Sequence, residues 1–454
     1  MKSILFKNGR IVSSKGVANS DILVSNGKIK KIGKNLKVSN TEIIDLKNKL
    51  VFPGFIDGHT HFNLSVANTT TIDGFNSGTR AAISGGTTTI IDYATQYKGE
   101  TLKEGYENWK KKTLEGVNCD YGFHMSISDV NDEVLKEIKD MFKIGITSFK
   151  LYTTYDVMID DADMTKVLKE LGKYKGLACV HCENDGMIKE LRSEIKGADN
   201  KKVYSHAATR PKEAEADCVN RLIYMCEVAK TPFLAVHITN DYALKEVEKA
   251  KKEKKQVYGE TCPQYLIFDD SVYKKTFKEA SKYVIAPPLR KKSDNKYLMD
   301  GIKKGSIDIV STDHCSFTMA QKSLGINDFR KIPGGLNGVE YRGPMFINLA
   351  LTKKLPIEKV VEVLSENPAK LFGLHKRKGF IKEGFDADLV IVDDKKTKIY
   401  TEKNQVSASD YSVFKGKYKG LIESVYLRGE EIVRNGEVVN VGKGEYVKRV
   451  ACAL

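Results

Sequence analysis

The sequence is poor in several features that would narrow the range of possible functions. Its 454 residues contain one tryptophan, 10 prolines and 8 histidines, and no apolar run approaches the ~18 residues needed to span a membrane. The opening stretch, MKSILFKNGRIV, turns polar too early for a secretory signal. Eight cysteines occur without the spacing of a disulfide framework, which suits a reducing compartment. We therefore expect a cytoplasmic protein with no membrane partner.

Acidic residues are outnumbered by basic ones, and the formal net charge is +15. Such a charge can indicate a nucleic-acid partner, but the sequence has no basic tail and no repeat that mixes basic and aromatic residues. The densest lysine cluster, EVEKAKKEKK at 246–255, also contains glutamates, as solvent-exposed helix faces do. We expect no nucleic-acid partner.

Both ends of the chain have the pattern of short strands. The segments LFKNGRIV, ILVSNGKIKKIG and SVYLRGEEIVRNGEVV each place an Asn-Gly pair between apolar runs, a strong indication of a hairpin. The sequence therefore predicts one small β-sandwich domain assembled from residues 1–50 and 376–454.

The middle of the chain, residues 51–375, alternates apolar runs of β type with helical patterns. The eight runs are Phe55–Thr60, Thr87–Tyr93, Tyr121–Ile127, Ile146–Leu151, Leu177–His181, Phe233–His237, Gln256–Thr261 and Ile307–Thr312. Alternation of this kind implies parallel strands joined by crossover helices. Eight units predict an α/β fold of the (β/α)8 barrel class, similar to a TIM barrel. A doubly wound open sheet is the alternative, but no G-x-G-x-x-G follows the first strand.

Chemically distinctive side chains fall at the ends of five of these runs. The stretch FPGFIDGHTHFNL contains two histidines one residue apart, which on a strand point the same way. Catalytic groups of (β/α)8 barrels come from such strand ends. Each residue alone is more often an ordinary core residue, but their joint placement favours a metal site. The candidate residues are His59, His61, Lys150, His181, His237 and Asp313.

Four histidines and one aspartate are too many for one catalytic zinc, which usually keeps three protein ligands, but they suit two metal ions. Imidazole and carboxylate ligands fit Zn²⁺ best, with Mn²⁺, Ni²⁺ or Co²⁺ as alternatives. Two adjacent ions need a bridging anion, and Lys150 lies where an ammonium would be repelled and desolvated. We therefore expect Lys150 to react with CO2 and form a bridging carbamate, an N6-carboxylysine.

Asp313 could accept a proton from a water that bridges the ions. Tyr155 is either an oxyanion donor or an ordinary loop aromatic.

With these residues, the chain resembles the dihydropyrimidinase/hydantoinase family of cyclic amidohydrolases. The resemblance extends over most of the chain and rests on the motifs PGFIDGHTHF, SGTRAAISGGTTTIID, SFKLYTTY, VHCEND, HAATRP, GETCPQYL, PPLR, STDHCSF, KIPGGLNGVEYR and NPAKLFGL. It implies hydrolysis of 5,6-dihydropyrimidines or 5-substituted hydantoins to N-carbamoyl amino acids, by a hydroxide that bridges two metals. It also implies a homotetramer.

The resemblance assigns a role to each candidate residue. The first metal would be held by His59, His61, carboxylated Lys150 and Asp313, and the second by Lys150, His181 and His237. Asp313 and Tyr155 would be catalytic, and Tyr155 would also contact the substrate. Backbone groups at Ala286 and at Asn337 would bind the cyclic amide, although the family usually has serine at the position of Ala286.

Two other functions stay open. A dihydroorotase or allantoinase is possible, but dihydroorotases carry an arginine shortly after the H-x-H pair, and here HFNLSVANTT has no basic residue. A non-catalytic scaffold relative is less favoured, because every ligand position is present. The substituent that the substrate ring carries is also open, since it depends on the loops with Phe62, Leu64, Tyr152 and Ile159.

Overall fold

Two sheets organise the chain, which we describe from a computed structural model that covers residues 3–454. The first contains nine strands and draws them from both ends of the chain. These strands are β1 (Ser3–Ser13), β2 (Gly16–Ser25), β3 (Lys28–Gly33), β4 (Glu42–Asp45), β5 (Leu50–Pro53), β16 (Leu389–Tyr400), β17 (Gly416–Leu427), β18 (Glu430–Arg434) and β19 (Glu437–Val438). Their order is β19-β18-β17-β16-β5-β1-β2-β3, with β4 beside β1.

This terminal sheet bends until its two halves face each other. Three strand spacings separate β1 from β17 in the sheet order, yet the rings of Phe6 and Tyr426 lie 4.8 Å apart, centroid to centroid. A flat sheet would hold them well over 10 Å apart, because neighbouring strands are spaced by ~4.8 Å. The two halves therefore enclose their own apolar core, as the predicted sandwich requires.

Two of the three predicted Asn-Gly hairpins form. Asn26-Gly27 and Asn435-Gly436 connect antiparallel strands, and all four residues have positive φ, as a type I′ turn demands. The prediction at Asn8-Gly9 is wrong. There β1 continues through the pair with a register shift against β2, and Asp21 accepts a hydrogen bond from the amide of Asn8, so the pair makes a bulge instead of a turn.

The second sheet is the predicted barrel of eight parallel strands, and each predicted run overlaps one of them. The strands are β6 (Phe55–Thr60), β9 (Thr87–Thr95), β10 (Asp120–Ser126), β11 (Ser148–Tyr152), β12 (Leu177–His181), β13 (Phe233–Ala235), β14 (Val257–Thr261) and β15 (Ile309–Val310). The barrel closes where the amide of His61 donates to the carbonyl of His314 at 2.8 Å. A small hairpin, β7 (Ser65–Val66) and β8 (Thr69–Thr70), follows the first barrel strand.

Helices surround the barrel and begin at recognisable caps. The side chain of Asn131 accepts from the amides of Glu133 and Val134 at the start of one helix, which then buries an apolar stripe with 3.6-residue spacing. The helices are α1 (Phe75–Ser84), α2 (Leu102–Lys112), α3 (Asp132–Lys143), α4 (Asp161–Lys173), α5 (Asp185–Glu194), α6 (Tyr204–Ala208), α7 (Lys212–Ala229), α8 (Asp241–Lys252), α9 (Gln264–Ile267), α10 (Phe277–Ala280), α11 (Lys292–Lys304), α12 (Met319–Lys322), α13 (Arg342–Leu351), α14 (Ile357–Val361) and α15 (Asn367–Leu371). Within residues 3–454, none of them combines the length and the apolar character that a membrane span requires.

The end of the chain returns to the barrel. The amide of Tyr121 on β10 donates to the carbonyl of Glu445, and the amide of Val447 donates to the carbonyl of Tyr121. Strand β5, at residues 50–53, lies in the terminal sheet. The exact division into residues 1–50 with 376–454 and residues 51–375 stays a prediction.

Candidate metal centre

A cavity of about 900 Å³ opens at the carboxyl ends of the barrel strands. All six predicted metal ligands line it, together with two residues predicted to bind substrate. These lining residues are His59, His61, Lys150, Tyr155, His181, His237, Ala286 and Asp313. The ends of parallel strands thus bring together side chains that lie far apart in the sequence.

Asp313 and the two histidines of the H-x-H pair form one cluster. The Oδ1 atom of Asp313 lies 3.2 Å from Nε2 of His59 and 3.1 Å from Nε2 of His61. One potential ligand atom from each residue falls within 4.8 Å of the others, close enough for a single ion. Burial opposes ionisation of Asp313, but the neighbouring imidazoles outweigh it and hold its pKa well below the usual value.

The other two histidines lie beside this cluster. The ring centroid of His237 is 5.5 Å from that of His59 and 4.7 Å from that of His181. Nδ1 of His237 is buried without a hydrogen-bond partner in the described part of the chain, while Nε2 of His59 faces the Asp313 oxygen. An unsatisfied buried imidazole nitrogen costs free energy, and a metal ion would use its lone pair. The donor set therefore fits divalent metal ions.

Lys150 lines the same cavity as the four histidines, and its side chain is buried, with an exposed fraction of only 1 %. Its Nζ makes no hydrogen bond and no ion pair with the residues from 3 to 454, and it lies 4.9 Å from the ring centre of Tyr93. Burial lowers the pKa of Lys150, although Asp313 and Glu260 partly oppose the shift. A lysine with a lowered pKa has more of the neutral amine that reacts with CO2.

Three residues of the site have an unusual backbone. Tyr155, His237 and Asp313 have φ angles of 71°, 41° and 51°, in the left-handed region that residues other than glycine rarely adopt. Each such conformation costs of order 1–3 kcal/mol and persists when the surroundings enforce it. All three side chains, which follow β11, β13 and β15, line the cavity.

Glu260 is a residue of the site that the sequence analysis missed. It is fully buried on β14, and its Oε1 accepts from Nδ1 of His59 at 2.6 Å and from the amide of His237 at 3.2 Å. A carboxylate that accepts from the outer nitrogen of a ligand histidine fixes the ring and makes it a stronger donor to metal. A buried acid inside an apolar strand, in GETCPQYL, was the local signal for it.

Glu183 has the same function for His181. Its Oε2 lies 2.7 Å from Nε2 of His181 and also accepts from the guanidinium of Arg210. The charge of Arg210 outweighs burial and lowers the pKa of Glu183 to about 2. Two buried carboxylates thus orient histidines of the site.

Asp92 fixes the loop that carries His61. It accepts from the hydroxyl of Thr60 at 2.8 Å, the amide of Phe62 at 3.0 Å and Nε1 of Trp109 at 3.1 Å. Burial raises the pKa of Asp92 to about 6, although these three donors partly oppose it. The end of β6 is therefore tied to helix α2 through one carboxyl group.

Tyr155 stands at the cavity wall beside His181, with 5.1 Å between the ring centroids. The guanidinium carbon of Arg210 lies 5.1 Å from the Tyr155 ring centre. Desolvation raises the pKa of the Tyr155 phenol, so the phenol keeps its proton at neutral pH. It can therefore donate a hydrogen bond to a developing oxyanion.

The remaining predicted contact residues divide into two groups. Ala286, Leu64 and Tyr152 line the cavity. Among the described residues, Asn337, Phe62 and Ile159 are not part of that lining. The Nδ2 of Asn337 donates to the carbonyl of Tyr411 at 3.0 Å, while Phe62 packs against Phe75.

Comparisons with a family model, with related sequences and with a solved structure all match this chain over most of its length. The model of the amidohydrolase family matches residues 50–432. A D-hydantoinase from Geobacillus stearothermophilus is 40% identical over 98% of this chain and 96% of its own. A D-phenylhydantoinase from Escherichia coli (strain SE11) is 36% identical over 98% of both chains. The crystal structure of dihydropyrimidinase from Brevibacillus agri NCHU1002 superposes with a TM-score of 0.97 at 35% identity and covers 100% of both chains.

Proposed function

Because the chain belongs to the dihydropyrimidinase/hydantoinase family of amidohydrolases, we propose that it hydrolyses cyclic amides in a metal-dependent reaction. The substrates are 5-substituted hydantoins and 5,6-dihydropyrimidines, and the products are N-carbamoyl amino acids. The observation that carries the proposal is the convergence of four imidazoles, Lys150 and Asp313 at the mouth of one barrel.

Two divalent ions, most favourably Zn²⁺, complete the site. His59, His61, Lys150 and Asp313 would hold one ion, and Lys150, His181 and His237 the other, with Lys150 carboxylated. When bound, such ions supply Lewis acidity and lower the pKa of water towards ~7. The buried Nδ1 of His237, which has no hydrogen-bond partner in the described part of the chain, supports this assignment.

Groups of the protein itself transfer the proton, stabilise the oxyanion and bind the ring. Asp313 is ionised and can accept the proton of the attacking water at a carboxylate oxygen, then return it to the ring nitrogen that leaves. The Tyr155 hydroxyl donates to the carbonyl oxygen as negative charge develops on it. The backbone at Ala286, which lines the cavity, holds the amide edge of the ring, whereas Asn337 lies outside that lining.

A substrate panel tests the function. We expect purified protein loaded with Zn²⁺ or Mn²⁺ to open dihydrouracil, 5-phenylhydantoin and 5-alkylhydantoins. Dihydroorotate should react more slowly, because the segment after His61 has no basic residue for a carboxylate attached to the ring. Allantoin is included to test the allantoinase alternative. If neither dihydrouracil nor any hydantoin is opened by metal-loaded protein, the proposal is wrong.

The modified lysine has its own test. Native mass spectrometry of the metal-loaded protein should show one added CO2 per chain, and Lys150→Ala should lose it together with most of the activity. Lys150→Ala should also bind fewer than two ions per chain by elemental analysis. An active protein with two ions and an unmodified Lys150 would contradict the carbamate.

We further propose a cytoplasmic homotetramer. The cytoplasm is supported by eight free cysteines, seven of them buried. The tetramer is supported by family resemblance, and the outer strands β3 and β19 of the terminal sheet offer edges that could pair between subunits. Light scattering on the purified protein should give four times the chain mass.

A further inference from the structure

The cavity wall contains three arginines, and one of them lacks a partner. Arg210 donates to Glu183, while Arg330 donates from Nε to Asp328 at 2.8 Å and from Nη2 to Asn200 at 2.8 Å. Arg192, on α5, makes no side-chain hydrogen bond or ion pair with any described residue. Its Nε is buried and unsatisfied. The wall thus has a guanidinium whose donors are available to a bound molecule.

The surroundings of Arg192 favour an anion. Desolvation lowers the pKa of Arg192, the nearby positive charges of Arg210 and Arg330 lower it further, and Tyr155 and Glu183 partly oppose the shift. Asp156 also lines the cavity, but it forms no ion pair with Arg192. A buried N–H without an acceptor costs about 1–3 kcal/mol, and a carboxylate can accept from Nε and one Nη at the same time.

We propose that Arg192 is a specificity-determining residue that binds a carboxylate carried on the ring substituent of the substrate. The inference rests on the proposed function, and it names a substrate class, hydantoins with a short acidic side chain. Other parts of the lining, such as Leu64 and Val66, are apolar and leave room for an aryl substituent that does not need Arg192.

The test compares an acid with its matched amide. The ratio of kcat/KM for 5-(2-carboxyethyl)hydantoin to that for 5-(2-carbamoylethyl)hydantoin is measured in metal-loaded wild type, Arg192→Gln and Arg192→Lys. We expect Arg192→Gln to lower this ratio about 10-fold or more, mainly through KM, because a charged hydrogen bond is lost. The ratio for Arg192→Lys should lie between those for wild type and Arg192→Gln, since lysine keeps the charge but loses the paired donors.

Lys189→Gln is the matched control, because Lys189 lies on the same helix, is exposed and pairs with Asp185. It should leave the ratio unchanged, and it should open 5-phenylhydantoin at the wild-type rate. An unchanged ratio in Arg192→Gln, or an equal fall of the ratio in Lys189→Gln, would overturn the inference. The proposed function would still stand in that case, provided that the metal-loaded protein opens hydantoins. If Arg192→Gln does not fold, the wild-type ratio should still fall as salt rises, and a ratio independent of salt would reject the role of Arg192.

Discussion

Glu260 links the two halves of the metal centre through a single carboxylate. It contacts Nδ1 of His59, a candidate ligand of one ion, and the amide of His237, a candidate ligand of the other. Its effect on metal binding is therefore indirect and acts on both positions at once. The charge of the carboxylate, and not only its shape, should matter.

We expect Glu260→Gln to weaken metal binding by about 10–100-fold while the fold is retained, because the amide keeps the shape but loses the charge. Competition with a chelator, followed by elemental analysis, measures the affinity. Glu248→Gln is the control, since Glu248 accepts from Tyr297 and Ser306 outside the cavity. Unchanged affinity in Glu260→Gln would show that His59 does not need this partner.

Metal uptake should depend on pH through His59. Burial favours the neutral ring, but Glu260 and Asp313 outweigh it and raise the pKa of His59 to about 8 in the metal-free protein. A proton on His59 competes with the ion, so apparent affinity should be highest above about pH 8 and fall as pH decreases. Chelator competition from about pH 6 to about pH 9 measures this trend, and Glu260→Gln should move its midpoint to lower pH.

The loops that carry the predicted substrate contacts are joined by one buried lysine at the end of α12. The Nζ of Lys322 donates to the carbonyls of Val284 at 3.1 Å, Pro333 at 2.7 Å and Gly335 at 3.0 Å. These carbonyls flank Ala286 and Gly334, which line the cavity. Burial lowers the pKa of Lys322 to about 7, and its ammonium form has one hydrogen for each of the three carbonyls.

We expect Lys322→Met to raise KM and to lower the free energy of unfolding by about 3 kcal/mol or more, because three carbonyls lose their donor. Metal content should not change, since no ligand is touched. Urea unfolding and steady-state kinetics measure the two effects. Ser323→Ala, in the adjacent turn, should change neither.

The barrel could be predicted from local sequence patterns, because a strand and its end can each be recognised from a few consecutive residues. Eight apolar runs and the rule for parallel strands located His59, His181 and Asp313 without knowledge of distant contacts. Lys322 could not be found in this way, since TMAQKSLG has the pattern of an exposed helix and its acceptors come from two other loops. Glu183 was likewise hidden, because its role depends on Arg210, 27 residues away.

The barrel and the terminal sheet are joined by a buried group of charges. The Nζ of Lys378 lies 2.7 Å from a carboxylate oxygen of Asp120 on β10, 2.7 Å from Asp388 and 3.1 Å from Asp386. The three aspartates are spaced like metal ligands, but this ammonium already supplies a cation there, together with Arg428 at Asp120 and with Lys28 and Arg377 at Asp386. Burial opposes the charge of Lys378, and the carboxylates outweigh it and raise its pKa.

Lys378→Met should lower the free energy of unfolding by about 3–5 kcal/mol, because it leaves the buried Asp388 without an ion pair among the described residues. Asp120 keeps Arg428, and Asp386 keeps Lys28 and Arg377. The pKa of Asp388, which burial already raises, would rise further, so the loss should be larger at neutral pH than near pH ~4. Urea unfolding at the two pH values measures it, and exposed Lys376→Met is the control. Equal stability of both variants would show that the two sheets do not depend on this group.

The composite terminal domain was predicted because hairpins at Asn26-Gly27 and Asn435-Gly436 are encoded locally. The bulge at Asn8-Gly9 was not predicted, since only the pairing of β1 with β2 and the contact with Asp21 select a bulge over a turn. The cluster around Lys378 brings together residues 120, 378, 386 and 388, and such pairing of distant segments leaves no periodic signal.

The hydrogen bond from Trp109 to Asp92 gives this molecule an intrinsic optical reporter. The chain contains no other tryptophan, and Asp92 also holds Thr60 and Phe62 on either side of His61. Any rearrangement of that loop when ions enter would alter the electric field at the indole. Stopped-flow fluorescence could therefore follow loading of the site in real time, on the unlabelled protein.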